Sequence, residues 1–136
     1  MVAYAGRAAM ESKARRDYAD GEKTDLFEIM KKRGRDRLTS SVWERALRHG
    51  DSLAERLIDD AVKALGAGIA SAVNLLDVEA VVIGGGLGVR LGEPYVERIR
   101  ERMGRHLFLD DQPPAVELAA LGDFGGAIGA SLLFDE

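Results

Sequence analysis

The sequence predicts an α/β chain, helix-rich in its first half and β-α-β-α in its second. Three observations carry this. Val81-Val82-Ile83 is a β-branched run that stops abruptly in Gly84-Gly85-Gly86-Leu87-Gly88, and β-branched residues suit a buried strand. Ala115-Val116-Glu117-Leu118-Ala119-Ala120 reads as a second strand running into a second glycine turn, Gly122-Asp123-Phe124-Gly125-Gly126. Ahead of both, apolar residues recur at three- and four-residue steps over the stretch 52–75, the period of an amphipathic helix. The 136 residues read as a single partial domain, with a helical segment over 1–50 and a long helix plus β-α-β-α segment over 51–136.

From Tyr4 to about Tyr18 the chain is rich in Ala and Arg, contains no Pro, and favours helix until Asp20-Gly21. Thr24 is placed to cap a short helix over 25–33, which Gly34 closes. Ser41-Val42-Trp43-Glu44 has the spacing of a capping box for a helix ending at His49-Gly50. Asp51 then caps the long helix. Its stripe is Leu53, Leu57, Ile58, Ala61, Val62, Leu65, Ile69, Ala72, Val73 and Leu76. Gly66 and Gly68 interrupt it, each at about 1 kcal/mol relative to Ala. Such a cost points to close packing, either of the backbone on a sheet, the favoured reading, or of a ligand.

Val78 to Ile83 is apolar apart from Glu79, and strands without alternation are usually covered on both faces, as in a parallel sheet. Glu93-Pro94 opens the next helix, with Pro in the first turn where its missing N–H costs nothing. Val96, Ile99, Met103 and Leu107 form its stripe. Phe108 to Pro114 is a loop, and the last helix is predicted over 127–134, with Gly126, Gly129 and Ala130 as a small face.

Composition excludes several function classes. A net charge of −4 and a pI near 5.3 oppose a nucleic-acid surface. The basic run Lys31-Lys32-Arg33-Gly34-Arg35-Asp36-Arg37 reads as a solvated helix end. With no cysteine there is neither a disulfide framework nor a thiolate metal site. No apolar run approaches the ~20 residues that span a bilayer, and the opening lacks the regions of a signal peptide. No membrane partner and a cytoplasmic location are therefore expected. His49 and His106 have no ligand partners at metal spacing and read as surface or helix-end residues. Ser40 and Ser41 read as caps. Asp123 is the best polar candidate for chemistry and is also the natural turn residue at its position.

Strand, glycine turn and helix in succession is the layout of nucleotide sites outside the carboxyl ends of parallel strands. There is no P-loop sequence, and Val89 stands where the dinucleotide fingerprint needs its third small residue. Two parallel strands do not make a stable sheet alone, and their open edges invite pairing. A further portion of the protein or another copy of the chain is expected to complete the sheet, so a homo-oligomer is one expected state.

Leu65-Gly66-Ala67-Gly68-Ile69-Ala70, Val73-Asn74-Leu75-Leu76-Asp77, Val81-Val82-Ile83-Gly84-Gly85-Gly86 and Gly126-Ala127-Ile128-Gly129-Ala130 occur in this order and spacing in the ROK family. That family holds bacterial sugar kinases, glucokinase-like enzymes above all, and sugar-responsive repressors. Ala3-Tyr4-Ala5-Gly6-Arg7-Ala8 also resembles the segment just after the family's zinc motif. The resemblance implies the C-terminal part of an actin-like ATPase (ribonuclease H-like) lobe, with ATP and Mg²⁺ as cofactors and a hexose as the second substrate. It implies that Gly84, Gly85 and Gly86 approach the adenosine of ATP and that Leu87 borders the adenine. The family's phosphate hairpin, its catalytic Asp and its zinc motif have no counterpart here, and its sugar-binding Glu falls at Val2. Phosphoryl transfer depends on positioning and charge stabilisation around Mg²⁺ and the phosphates. The resemblance therefore implies a kinase segment without catalytic or metal residues and inactive alone. The alternatives are the sugar-sensing domain of a ROK repressor and a non-catalytic oligomerising domain.

Overall fold

The computed structural model describes residues 2–108 and 112–134. Helices α1 (Val2–Ala5), α2 (Arg7–Ala19), α3 (Leu26–Lys32), α4 (Ser40–Arg48) and α5 (Ser52–Leu76) precede β1 (Ala80–Ile83), α6 (Gly85–Gly104), β2 (Ala115–Leu118) and α7 (Gly125–Ser131). Short 3₁₀ turns at Gly122–Phe124 and Leu132–Phe134 flank α7.

The helical half closes around one core. Met10, Leu26, Val42, Trp43, Leu53, Leu57, Ile58 and Val62 are essentially buried in it. Two carboxylates tie the connections down. Asp51 accepts from its own helix at Ala54 N (2.8 Å), and reaches back to Thr24 Oγ1 (2.7 Å) and Asp25 N (2.6 Å). One side chain thus fixes the start of α5 and the start of α3. Buried Glu11 on α2 takes both Arg15 and the Leu38 amide (3.1 Å), holding the approach to α4. Left-handed glycines at Gly21, Gly34 and Gly50 close the connections where expected. The basic run from Lys31 to Arg37 is exposed throughout.

The capping box does not form. The cap position of α4 is Thr39, Ser41 lies inside the helix bonded to Thr39 (3.0 Å between hydroxyls), and Glu44 pairs instead with Arg48 and Arg90. The opening helix is broken at Gly6 into two.

The long helix packs mainly on α6, and there the glycine reading needs correction. A Cβ on Gly66 would stand 2.6 Å from Arg102 Cβ and 2.9 Å from Met103 N. Gly66 is small because α6, a helix and not the sheet, crosses it. Asp59 adds a polar clasp between the two helices, with Lys63 Nζ at 2.7 Å and the guanidinium groups of Arg98 and Arg102 each at 3.4 Å. The Lys63 hydrogen bond holds the Asp59 carboxyl below its ordinary range, against a smaller opposing effect of burial. At the far end the predicted stripe fails: Leu76 is two-thirds exposed, and Asp77 turns into left-handed backbone.

β1 and β2 pair in parallel, Val81 beside Val116 and Ile83 beside Leu118. These four face α5 and α6 and belong to a second small core with Ala70, Val96 and Met103. The alternate pairs, Ala80 with Ala115 and Val82 with Glu117, face outward, and Val82 is 64% exposed. The expected double burial is therefore not met within this chain. Among the described residues one face of the sheet is covered and the other is not. The small-residue face of α7 is likewise exposed.

The helix after β1 starts at Gly85 and not at Glu93. Gly92, at φ 64 and ψ −155, breaks it, and Pro94 sits in the first turn of the second piece. The glycine-rich run is thus itself the opening turn of a helix. A Cβ on Gly88 would meet Ile83 Cγ2 at 3.2 Å, so that turn folds tightly back onto the end of β1.

Candidate functional site: the glycine ledge after the first strand

Four residues at the carboxyl end of β1 make the candidate site. Gly84 ends the strand in extended backbone and is exposed. Gly85 has φ 79, a conformation glycine alone adopts freely, and a Cβ there would meet nothing within 4 Å. Gly86 is half-buried, and its missing Cβ would lie 3.0 Å from Ser40 Oγ. Leu87 is half-buried and packs against the helical core. Beneath the turn, Ala119 N donates to Ile83 O at 2.9 Å, which binds the two strand ends together.

The ledge is therefore bare backbone at the start of a helix, with no side chain capping its amides. Such an arrangement takes a flat or polar ligand close to the main chain. It is a surface and not an enclosed cavity. A cavity of about 520 Å³ lies elsewhere, between Tyr4, Met10, Arg16 and Asp60, and one of about 580 Å³ lies near Val73, Asp77 and Phe108.

The contact sequence reasoning missed is Ser40. Read as a cap, it is buried at the first turn of α4 and touches the ledge. Four residues further along each helix, Glu44 meets Arg90 at 3.4 Å. The two contacts in register set α4 and the first piece of α6 side by side and parallel. A small residue opposite a glycine was the only signal in the sequence.

Other candidates disperse. His49 and His106 are exposed, at the ends of α4 and α6. Asp123 lies in the 3₁₀ turn, and its side chain is outside the described set. Among the described residues no three His, Asp or Glu side chains gather as a metal site, and no helix is long and apolar enough to cross a membrane.

A parallel strand pair, a bare turn and flanking helices make an α/β fold that is shared with solved ROK sugar kinases of the actin-like ATPase fold. A ROK family glucokinase from Streptomyces griseus, solved with glucose and AMPPNP, matches 96% of this chain and 43% of its own at 27% identity, with a TM-score of 0.73. A ROK family transcriptional regulator, described as a homologue of the Escherichia coli MLC protein, matches 85% of this chain and 28% of its own with a TM-score of 0.70; at 20% identity this likeness concerns the fold alone. The ROK family model matches residues 3–136, and the chain belongs to that family. The N-acetylgalactosamine kinase AgaK of a Shewanella strain is 35% identical over 91 residues, which are 67% of this chain and 29% of that protein. The chain spans between 15% and 29% of the length of the curated relatives it matches.

Proposed function

We propose that this chain is the nucleotide-side, C-terminal segment of a ROK sugar kinase, in which Gly84, Gly85, Gly86 and Leu87 form the ledge for the adenosine of ATP. The observation that carries the reading is Gly85, exposed, left-handed and open where a side chain would stand. Backbone of this kind lets a base and ribose approach the main chain closely. The likeness to a glucokinase solved with AMPPNP supports it, as does the similarity to AgaK.

The reading assigns this segment the nucleoside and leaves the phosphates, Mg²⁺ and the hexose to groups elsewhere, in a further portion of the protein or another copy of the chain. No catalytic residue is assigned within the segment. Transfer of the γ-phosphate of ATP to a hexose hydroxyl is the activity of the assembled enzyme, which works in the cytoplasm on this reading. The isolated chain has no kinase activity and binds nucleotide weakly. The repressor alternative is supported by likeness of fold alone.

Thermal denaturation with ATP and with adenosine tests the assignment. Stabilisation follows RT ln(1 + [L]/Kd), so ligand near its Kd adds about 0.4 kcal/mol and ligand at 100 Kd about 2.7 kcal/mol. Both ligands are expected to raise the melting temperature, and Gly85→Ala to abolish the rise. No shift at millimolar ATP sinks the proposal. Glucose-dependent ADP formation by the pure chain would refute its inactivity.

A further inference from the structure

Ser40 is 5% exposed, yet its hydroxyl has no hydrogen-bond partner among the described residues. Trp43 Nε1, three residues on and so on the same face of α4, is also buried without a partner. Buried polar groups are normally paired, and leaving one unpaired costs stability. The unpaired Ser40 hydroxyl lies against Gly86, which is itself a poor helix residue. Alanine at both positions would remove both penalties. With the hydroxyl gone, a Cβ at position 86 would find Ser40 Cβ at 3.9 Å, an ordinary contact. Two locally unfavourable choices meeting at one contact is the pattern of a site that serves something besides stability. This contact also joins the packed helical half to the exposed ledge, in register with the Glu44–Arg90 pair.

We propose that Ser40 is a positioning residue for the Gly84–Leu87 ledge. Its hydroxyl, which has no partner among the described residues, takes a backbone group of that turn as partner when a nucleotide seats, and so fixes the ledge against α4. The inference rests on the nucleotide reading above and deepens it. Ser40 does not touch the reacting atoms.

The test uses the 136-residue chain and two readouts, melting temperature and ATP affinity followed through its single tryptophan, Trp43 on α4. Ser40→Ala is expected to melt at or above the parent temperature, because an unpaired group is removed, while its Kd for ATP rises three- to tenfold. Ser40→Thr keeps the hydroxyl and is expected to hold affinity within threefold. Gly86→Ala is expected to lower the melting temperature in the parent but not in the Ser40→Ala background. A Ser40→Ala chain that melts lower and binds ATP as before overturns the proposal, leaving plain packing. Additive melting shifts in the double variant overturn the contact itself. ATP binding that ignores Ser40 overturns this inference alone, whereas a parent chain that binds no ATP overturns the nucleotide reading with it.

Discussion

The two halves of the molecule solve the burial problem differently. In the helical half every large apolar side chain of α3, α4 and the first turns of α5 finds neighbours: Trp43, Val42, Leu26, Leu53 and Ile58 are essentially inaccessible. In the strand-bearing half the apolar residues divide. Val96, Ile99, Met103 and Val116 are buried, while Val82, Leu75, Phe108, Phe124, Leu132 and Leu133 stand between 64% and 84% exposed. The strand-bearing half is the more apolar of the two in sequence, so its exposure reflects the availability of a partner surface and not a shortage of apolar residues. One half is finished by its own chain. The other leaves these apolar side chains open among the described residues.

Stability measurements can break that comparison. The largest effect is expected in the finished half, where Trp43→Ala should lose about 3–5 kcal/mol by chemical denaturation, the usual range for deleting a buried aromatic. Val82→Thr on the open face should fall within about 0.5 kcal/mol of the parent. Similar losses at the two sites would mean that the open face is covered in solution. Gly66→Ala probes the joint between the halves. Its added methyl meets the backbone of α6, and overpacking of this kind costs about 1–3 kcal/mol. A neutral result would show that α5 and α6 separate easily.

The smallest effect concerns acid. The Asp59 carboxyl is held below its ordinary range in the folded chain, so its contribution to stability is complete above the unfolded value near pH 4. That contribution is lost as pH falls through the lower folded value. Asp59→Asn should therefore lower stability slightly at neutral pH and converge with the parent at low pH, which flattens the acid limb of a stability–pH profile. The pair network is partly solvated, which keeps the effect small.

Legibility in the sequence followed the range of the interactions. Asp51 as a cap, and the closing glycines Gly21, Gly34 and Gly50, were readable because each acts within a few residues of itself. The strands and their parallel pairing were readable from the β-branched run and the helix between them. Three features were not. The helix opening at Gly85 was hidden because glycines carry poor helix propensity, and what makes glycine suit Gly86 and Gly88, the closeness of Ser40 and Ile83, is invisible in the sequence. Gly66 signalled close approach but not what approached. The one-sided sheet was hidden because Val81-Val82-Ile83 reads the same whether its outer face is covered or bare. At the candidate site, the ledge glycines stood out in sequence, whereas the seam beneath them joins positions 46 residues apart (86 − 40).

The brevity of the two strands has a consequence of its own. Four residues apiece offer a stray polypeptide too few main-chain pairing groups to zip along, and short edges are one of the ways natural sheets avoid runaway association. The open face between those edges carries Val82 and Glu117 side by side, one apolar and one charged. Short main-chain edges beside an open face leave recognition on this sheet to side chains more than to backbone pairing.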